Sequence, residues 1–276
     1  MPLSSIARAL RHHVVSRRMA DNVALVRRPS SRMAEGITTH IDRVPADAAR
    51  AARQHAAYVD AVAAAGWSIR EVAPADDLPD SAFVEDTMTV FGDLAVLARP
   101  GAAERRGEVA GAEETARSLG LEVARIEAPG TLDGGDVLQV GRTVYVGRGG
   151  RTNADGIRQL RRHAATRERT VVPVRLHGVL HLKSAVTALP DGTCLAHDVS
   201  LFDASPFPAI RRVPEEAGSR VILMGGGTIV MAASAPRSAE LFDDMGFDVV
   251  TVDIGEFEKR EGCVTCLSVL VSGADG

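Results

Sequence analysis

Residues 84–99 read Val-Glu-Asp-Thr-Met-Thr-Val-Phe-Gly-Asp-Leu-Ala-Val-Leu-Ala-Arg, two short runs of β-branched and apolar residues around a Phe-Gly-Asp turn. This pattern predicts a β-hairpin. The next segment, residues 103–119, is rich in alanine, glutamate and arginine and stops at Gly120, which is typical of a helix with a glycine C-cap. The alternating residues 121–126 then predict another strand. The unit is therefore strand, strand, helix, strand.

The same order of elements returns three more times along the chain. The second copy spans residues 134–175. The third begins at residues 183–197 and continues into a proline-containing stretch, 199–218, that has little helix signal. The fourth runs over residues 220–252 through a triple-glycine turn. Because internal repeats of this length are typical of repeat architectures, the four copies predict blades of one larger assembly.

A fifth unit is divided between the two ends of the chain. Residues 264–271 read as a single strand without a hairpin partner, whereas residues 23–27 read as a strand followed by a helix, 46–65, and a strand, 67–72. Pairing the two ends completes the unit and closes a ring, which removes an exposed sheet edge. The sequence therefore predicts an α/β fold, a five-bladed pseudo-symmetric α/β propeller closed by the N- and C-terminal strands. One domain over residues 21–276 would hold it.

The composition is that of an ordinary globular protein. The 276 residues are 45% hydrophobic and 25% charged, which suffices for a full core. A net charge of -4 gives no whole-chain attraction to nucleic acid or to a membrane surface, so a small molecule is the expected partner. Three cysteines cannot all pair within the chain, which favours reduced thiols in a cytoplasm. Residues 1–20 contain four arginines and no acid, and we expect them to form a loosely ordered basic extension.

Reactive side chains stand at the entrance of the predicted hairpins. Glu85 and Asp86 open one unit, and Asp133, His181 and Cys266 open three others. Residues 85 and 133 are 48 positions apart, as are residues 133 and 181. Equivalent positions in a closed ring converge on its axis, so we expect these groups to meet in space. A thiol, an imidazole and a carboxylate suffice for nucleophilic catalysis, and paired carboxylates match a guanidinium group.

Six short segments carry a more specific signal. They are Phe83-Val-Glu-Asp-Thr87, Arg99-Pro-Gly-Ala102, Leu132-Asp-Gly-Gly-Asp-Val137, Arg151-Thr-Asn153, His181-Leu-Lys-Ser184 and Thr265-Cys-Leu-Ser268. In order and spacing they closely resemble the dimethylarginine dimethylaminohydrolase family, or dimethylargininases, of the guanidino-modifying pentein enzymes. The resemblance implies hydrolysis of N-omega-methylated arginine to citrulline and a methylamine through a covalent cysteine intermediate, with no metal and no cofactor.

The same resemblance implies roles for individual residues. Cys266 stands at the position of the nucleophile, His181 at that of the proton-transfer group, and Asp133 at that of the acid that orients the histidine. The implied substrate-binding positions are Asp86 as the guanidinium clamp, Asp80 and Glu85 as further polar residues, Arg105 and Arg151 at the amino-acid end, and Met33 in a lid loop over residues 29–36.

Several alternatives stay open. Arginine deiminases share this fold and thiol chemistry, so free arginine is an alternative substrate, and a propeller can also serve as a non-catalytic binding module. Taken alone, Cys266 fits a buried strand residue, and the pair with Cys263 could be half a metal site or a redox pair. We favour one nucleophile, Cys266, beside a reduced and dispensable Cys263, because the chain offers no second pair of zinc ligands. A homodimer is left open.

Overall fold

Five three-stranded sheets form the part of the chain that the computed structural model describes, residues 22–272. The basic extension predicted for residues 1–20 lies outside the described residues. In four of the sheets two consecutive strands pair antiparallel as a hairpin, and in the fifth the antiparallel pair joins strands from the two ends of the described chain. In every sheet the third strand runs parallel to the middle one. The repeated unit and the propeller architecture predicted from the sequence are confirmed.

The strands group into blades as follows. The blades contain β1 (Val23–Val26), β2 (Ser68–Glu71) and β15 (Ser268–Val271); β3 (Met88–Phe91), β4 (Leu94–Leu97) and β5 (Glu122–Arg125); β6 (Val137–Val140), β7 (Thr143–Arg148) and β8 (Thr170–Arg175); β9 (Val186–Ala188), β10 (Cys194–Ala196) and β11 (Ile210–Arg212); and β12 (Ile222–Gly225), β13 (Thr228–Ala232) and β14 (Asp248–Val252). The α-helices are α1 (Ala48–Ala64), α2 (Val109–Ser118), α3 (Ala154–Ala165), α4 (Pro236–Asp244) and the short α5 (Gly255–Glu258).

The blade that joins the two ends of the chain has the predicted composition. β15 pairs antiparallel with β1, with Val23 opposite Val271 and Val26 opposite Ser268. β1 in turn pairs parallel with β2. The last strand of the described chain therefore supplies the inner strand of the first blade, and β1 has a neighbour on both sides.

Helix boundaries follow local sequence signals. Asp47 caps α1 by accepting hydrogen bonds from the backbone N–H groups of Ala49 and Arg50, and Asn153 caps α3 in the same manner. Gly120 ends the segment of α2 with a φ of 78°, which a residue without a Cβ adopts at little cost. The proline-containing connection between β10 and β11 holds only one turn of 3-10 helix.

The core lies between neighbouring blades. Residues of α3, such as Leu160, pack against Val144 and Val171 of their own blade and also against Phe91 and Leu94 of the preceding one. Each helix that packs in this way fixes two sheets relative to each other. Within residues 22–272, no helix has the length and apolarity that crossing a bilayer requires.

The inner strands surround a central cavity of about 240 Å³. Residues of β3, β6, β9, β12 and β15 all contribute to its wall. These are the inner strands that are expected to converge on the axis. Four of them, β3, β6, β9 and β15, enter the ring from segments that carry candidate functional residues, and β12 does not.

Short turns of 3-10 helix precede all five inner strands. Those that lead into β3, β6, β9 and β15 carry or adjoin the candidate residues, and they correct the predicted strand boundaries. The sequence predicts strands from residues 84 and 264, whereas β3 begins at Met88 and β15 at Ser268. Valine residues at 84 and 264 fit the turn as well as a strand, so the β-branched pattern extends past the true boundary. We call these segments the axial turns: Val84–Thr87, Gly134–Asp136, Leu182–Ser184 and Val264–Leu267.

Candidate active site

Each axial turn is closed by the same hydrogen bond, which defines two equivalent positions. The N–H of one residue donates to the carbonyl three residues earlier, in the pairs Asp86 to Phe83, Asp136 to Asp133, Ser184 to His181 and Cys266 to Cys263. The sequence analysis places Asp133, His181 and Cys266 at one repeated position. The structure corrects this: Asp133 and His181 take the first position, together with Cys263, while Cys266 and Asp86 take the fourth.

A small cleft lies against these turns. Its volume is about 20 Å³, which is room for about one water molecule and far too little for an amino acid. The predicted site residues that line it are Cys266, His181, Asp86, Asp80, Arg105 and Arg151. The further lining residues are Ile37, Phe83, Leu180, Arg260, Glu261 and Gly262. A substrate of amino-acid size can enter only when the wall moves.

Cys266 is buried and shares a hydrogen bond with the other cysteine of its turn. The Sγ atoms of Cys263 and Cys266 lie 3.2 Å apart, and the Cys263 Sγ lies 3.2 Å from the Thr265 Oγ1. The hydrogen bond with Cys266 lowers the pKa of Cys263 to about 6, and the same contact raises the pKa of Cys266. Because two adjacent thiols share one proton, the pair holds a single thiolate near neutral pH.

His181 lies between two aspartates. Its Nε2 is 3.0 Å from the Asp133 Oδ2 and its Nδ1 is 3.8 Å from the Asp86 Oδ1. Burial opposes the charged imidazole, but the charge of Asp86, the hydrogen bond with Asp133 and the charge of Asp136 together raise the pKa of His181 to about 9. The histidine is therefore an imidazolium at neutral pH.

Glycine at position 135 allows this close approach. A Cβ at Gly135 would lie 2.7 Å from the His181 Nδ1 and 2.8 Å from the Asp86 Oδ1, closer than real Cβ atoms approach other atoms. The Gly135 N–H instead donates to the Asp86 Oδ1 at 2.9 Å. The Gly-Gly-Asp segment therefore works as a close packing surface and not only as a turn.

Asp133 is held by three further groups besides the histidine. Its Oδ1 accepts a hydrogen bond of 2.8 Å from the Gly101 N–H, and the Arg151 Nη1 lies 3.6 Å from its Oδ2. The Thr152 Oγ1 accepts from the Asp133 N–H at 3.2 Å. Asp133 is fully buried, and these contacts fix the carboxylate that faces His181.

Asp136 is a functional candidate that the sequence analysis missed. It is fully buried, accepts from the Thr152 hydroxyl at 2.5 Å and from the Leu182 N–H at 3.0 Å, and stands near His181. Burial raises the pKa of Asp136 to about 7, against the charge of His181. When the repeats are aligned on the hydrogen bonds that close the axial turns, Asp136 takes the same position as Asp86.

Arg105 is buried, and its guanidinium group is hydrogen-bonded to two carboxylates of this chain. Its Nη1 donates to the Asp86 Oδ2 at 2.6 Å, while its Nε and Nη2 donate to Glu108 at 3.0 and 2.7 Å. Burial would raise the pKa of Asp86, but the charges of His181 and Arg105 hold it well below its usual range. Asp86 is therefore a permanent negative charge in the cleft.

Arg151 has an unused donor at the cleft. Its Nη1 is buried and has no hydrogen-bond partner among the described residues, although the Asp133 carboxylate lies near it. An arginine donor in this position can hold a carboxylate of a bound molecule.

Two of the predicted binding residues are not among those that line the cleft. Glu85 lines the central cavity, where its carboxylate accepts hydrogen bonds from Lys183 at 2.6 Å and from the Thr265 hydroxyl at 3.2 Å. Burial raises the pKa of Glu85 to about 8, against the charge of Lys183. Met33 is buried in the apolar cluster that contains both Cys263 and Cys266.

The segment that follows Met33 forms part of the cleft wall through Ile37, and hydrogen bonds hold it to three other residues of that wall. The Ile37 N–H donates to the Asp80 Oδ2 at 3.0 Å, and the Thr39 N–H donates to the Glu261 Oε2 at 2.9 Å. Arg260 donates to the Thr38 hydroxyl at 3.1 Å and to the Val44 carbonyl. We call residues 33–44 the covering segment. This segment, or the residues to which it is hydrogen-bonded, must move before a substrate can enter.

The acids and the histidine also form the one cluster in residues 22–272 with the spacing of metal ligands. Atoms of Asp86, Asp133 and His181 lie within 4.8 Å of one another. The carboxylates, however, already accept hydrogen bonds from Arg105, Gly135 and Gly101. The arrangement matches a protonated imidazole better than a metal ion, and a site without metal stays a prediction.

Comparisons with known proteins give a consistent result. No protein-family model matches the chain. The chain is 57% identical over 252 residues to the N(G),N(G)-dimethylarginine dimethylaminohydrolase of Streptomyces coelicolor, covering 91% of this chain and 97% of the relative. It is 35% identical over 249 residues to the protein of the same name from Pseudomonas aeruginosa, covering 89% and 97%. A solved structure of the Pseudomonas aeruginosa enzyme, a cysteine-to-serine mutant complexed with citrulline, matches with a TM-score of 0.84 at 34% identity, covering 91% of this chain and 99% of that one.

Proposed function

The chain belongs to the dimethylarginine dimethylaminohydrolase family, and from this premise we propose that it hydrolyses N-omega-methylated L-arginine to L-citrulline and a methylamine. The observation that carries the proposal is the presence of a thiol, an imidazolium and a permanent carboxylate in one closed cleft, on Cys266, His181 and Asp86. Dimethylarginine and monomethylarginine are the proposed substrates.

The first step forms a carbon–sulfur bond. Asp86 pairs with the substrate guanidinium and holds it against the sulfur, since a carboxylate matches the donors of that group. Cys266 passes its proton to the Cys263 thiolate through the contact between the two sulfurs, and the Cys266 sulfur attacks the guanidinium carbon. His181 donates its proton to the leaving nitrogen, the carbon–nitrogen bond breaks, and dimethylamine or methylamine departs from a covalent thiouronium.

The second step returns the enzyme to its starting state. His181, now neutral, takes a proton from a water molecule that attacks the thiouronium carbon. The carbon–sulfur bond breaks, the hydroxyl group gives its proton to solvent, where the released amine takes it up, and citrulline leaves with the thiolate regenerated. Asp133 keeps the imidazole oriented through the hydrogen bond to Nε2 in both steps.

The remaining predicted residues bind the amino-acid end of the substrate. Asp80 would pair with the α-amino group, and Arg151 would donate its unused Nη1 to the α-carboxylate. Arg105 would act at the same end while it holds Asp86 in place. Glu85 would act from the central cavity through Lys183, and Met33 would move with the covering segment. A cytoplasmic location and a homodimer stay predictions.

The direct test compares asymmetric dimethylarginine with arginine as substrates. Citrulline is measured by colorimetry, and dimethylamine and ammonia are separated by chromatography. We expect citrulline and dimethylamine from dimethylarginine, with turnover abolished in Cys266→Ser and His181→Ala. Cys194→Ser and His177→Ala, which change a cysteine and an exposed histidine away from the cleft, serve as matched controls.

The alternatives give different products. Faster release of ammonia from arginine than of dimethylamine from dimethylarginine would support the arginine deiminase reading. A wild-type protein that binds both compounds and releases citrulline from neither would support the non-catalytic binding module instead.

A further inference from the structure

Arg260 is a buried cation that the proposed mechanism does not use. It is 2% exposed, lines the cleft and precedes the axial turn of Cys266. Arg105 and Arg151 each form an ion pair with an aspartate. Arg260 forms no ion pair with a carboxylate within residues 22–272, and its two hydrogen-bond acceptors are a hydroxyl and a carbonyl. A buried charge without an opposite charge is costly unless an anion joins it.

One donor of Arg260 is also without a partner. Its Nε is buried and makes no hydrogen bond among the described residues, a property shared at this cleft with the Arg151 Nη1. Arg105, by contrast, directs all of its nitrogen atoms to protein acceptors. The unused donors at the cleft therefore belong to Arg151 and Arg260.

We propose that Arg260 is a specificity-determining residue that binds the α-carboxylate of the substrate together with Arg151. This rests on the proposed function. Asp80 and Glu261 lie near Arg260, so the amino-acid end of the substrate meets both signs of charge. The same guanidinium holds the Thr38 hydroxyl and the Val44 carbonyl, which couples carboxylate binding to the position of the covering segment.

The test removes the charge and, separately, the carboxylate. Arg260→Gln and Arg260→Lys are compared with wild type on N-methyl-L-arginine and on N-methylagmatine, which lacks only the carboxylate. Loss of a hydrogen bond to a charged group predicts a fall of about 10- to 100-fold in kcat/KM for N-methyl-L-arginine, mainly through KM, with partial rescue by lysine. The rate with N-methylagmatine should change by less than about threefold, as expected for a group that senses the carboxylate.

Arg43→Gln is the matched control, because Arg43 is exposed and donates to the Gly36 carbonyl of the same covering segment without lining the cleft. Equal losses of rate on both substrates in Arg260→Gln would mean that Arg260 only holds the covering segment in place, and this would overturn the proposal. No loss on either substrate would overturn it as well. If wild type turns over neither compound, the proposed function fails. Arg260 is then judged by calorimetric binding of citrulline against N-carbamoylputrescine, where a carboxylate-dependent loss supports the proposal and its absence overturns it.

A second inference concerns the two sulfurs of one axial turn. The Sγ atoms of Cys263 and Cys266 are 3.2 Å apart, and a disulfide needs about 2.05 Å. The Cys266 N–H donates to the Cys263 carbonyl at 3.1 Å, so the backbone already holds the two residues together. A motion of about 1 Å within the turn would bring the sulfurs to bonding distance.

We infer that Cys263 and Cys266 form a reversible disulfide that switches the enzyme off under hydrogen peroxide. Cys266 passes its proton to Cys263, and the resulting Cys266 thiolate attacks one peroxide oxygen. The oxygen–oxygen bond breaks, and the products are a sulfenic acid and, after protonation, water. The Cys263 thiol then attacks the Cys266 sulfur, the sulfur–oxygen bond breaks and a second water leaves. The two sulfurs are oxidised and the peroxide is reduced to two waters. A dithiol reductant reverses the change.

The test follows mass and activity together, with each protein compared with its own untreated sample. After peroxide, wild type and the matched control Cys194→Ser should lose activity and about 2 Da, and both should recover with dithiothreitol. Cys263→Ser should gain oxygen mass instead and should not recover to the same extent after the longer exposures. No loss of 2 Da in wild type, or equal recovery in Cys263→Ser, would overturn the inference.

Discussion

Replacing Asp133 with asparagine should move the alkaline limb of the pH profile to lower pH. Asp133 accepts hydrogen bonds through Oδ2 from His181 and through Oδ1 from Gly101. An asparagine offers one acceptor oxygen, so one of these two N–H donors would face an amide donor. The change also removes a negative charge 3.0 Å from the imidazole. Both effects favour the neutral imidazole.

The size of the effect follows from the pKa of His181. In the native site the pKa of His181 is raised to about 9, so activity that needs the imidazolium is retained below that pH and lost as pH rises through it. Removing one opposite charge at contact distance lowers such a pKa by about 1 to 3 units. At pH 7.5 the protonated fraction would fall from about 97% to between about 3% and 76%.

The assay is kcat for dimethylarginine between pH 6 and 10, by citrulline release. Asp133→Asn should lose activity at a pH about 1 to 3 units lower than wild type and should regain most of the lost rate in mildly acid buffer. Glu104→Gln removes an exposed acid and should leave the profile unchanged. A uniformly lower rate with an unmoved alkaline limb would refute the argument that Asp133 supports the charge of His181.

Other changes test the packing around the site and the core. Gly135→Ala places a Cβ 2.7 Å from the His181 Nδ1, and a displacement of this kind should lower kcat by about 100-fold. Gly150→Ala meets no atom of residues 22–272 within 4 Å and should leave kcat unchanged in the same citrulline assay. Leu160→Ala, in a fully buried position of α3, should lower the free energy of unfolding by about 2–5 kcal/mol in urea titrations without altering kcat in the folded enzyme. A destabilisation below about 1 kcal/mol would show that the contact between neighbouring blades is not as tightly packed as described.

The architecture could be predicted from the sequence because its signals are local and repeated. Hairpin turns, a glycine at the end of a helix, and alternating strands recur in one order, so even the blade split between residues 23–27 and 264–271 was recognisable. Closure of the ring then followed from the need to cover a sheet edge. Each of these arguments uses residues that are close in sequence or related by the repeat.

The details of the site could be predicted only in part. The β-branched pattern does not separate a 3-10 turn from a strand, so the three-residue offset between Cys263 and Cys266 could not be resolved into two equivalent positions. The direction of Glu85 depends on Lys183, almost 100 residues away in sequence, and no local pattern reports it. Arg260 is brought to the cleft by the connection after α5, which has no counterpart in the other units.

The pairing of β15 with β1 has a consequence for how the enzyme is made. A nascent chain that ends at residue 262 contains every histidine and acid of the cleft, but neither Cys263 nor Cys266. That nascent chain also leaves β1 with an unpaired edge on one side, which is a site for aggregation. The two sulfurs and the cover of the β1 edge therefore enter the molecule together, in one short segment over residues 263–271.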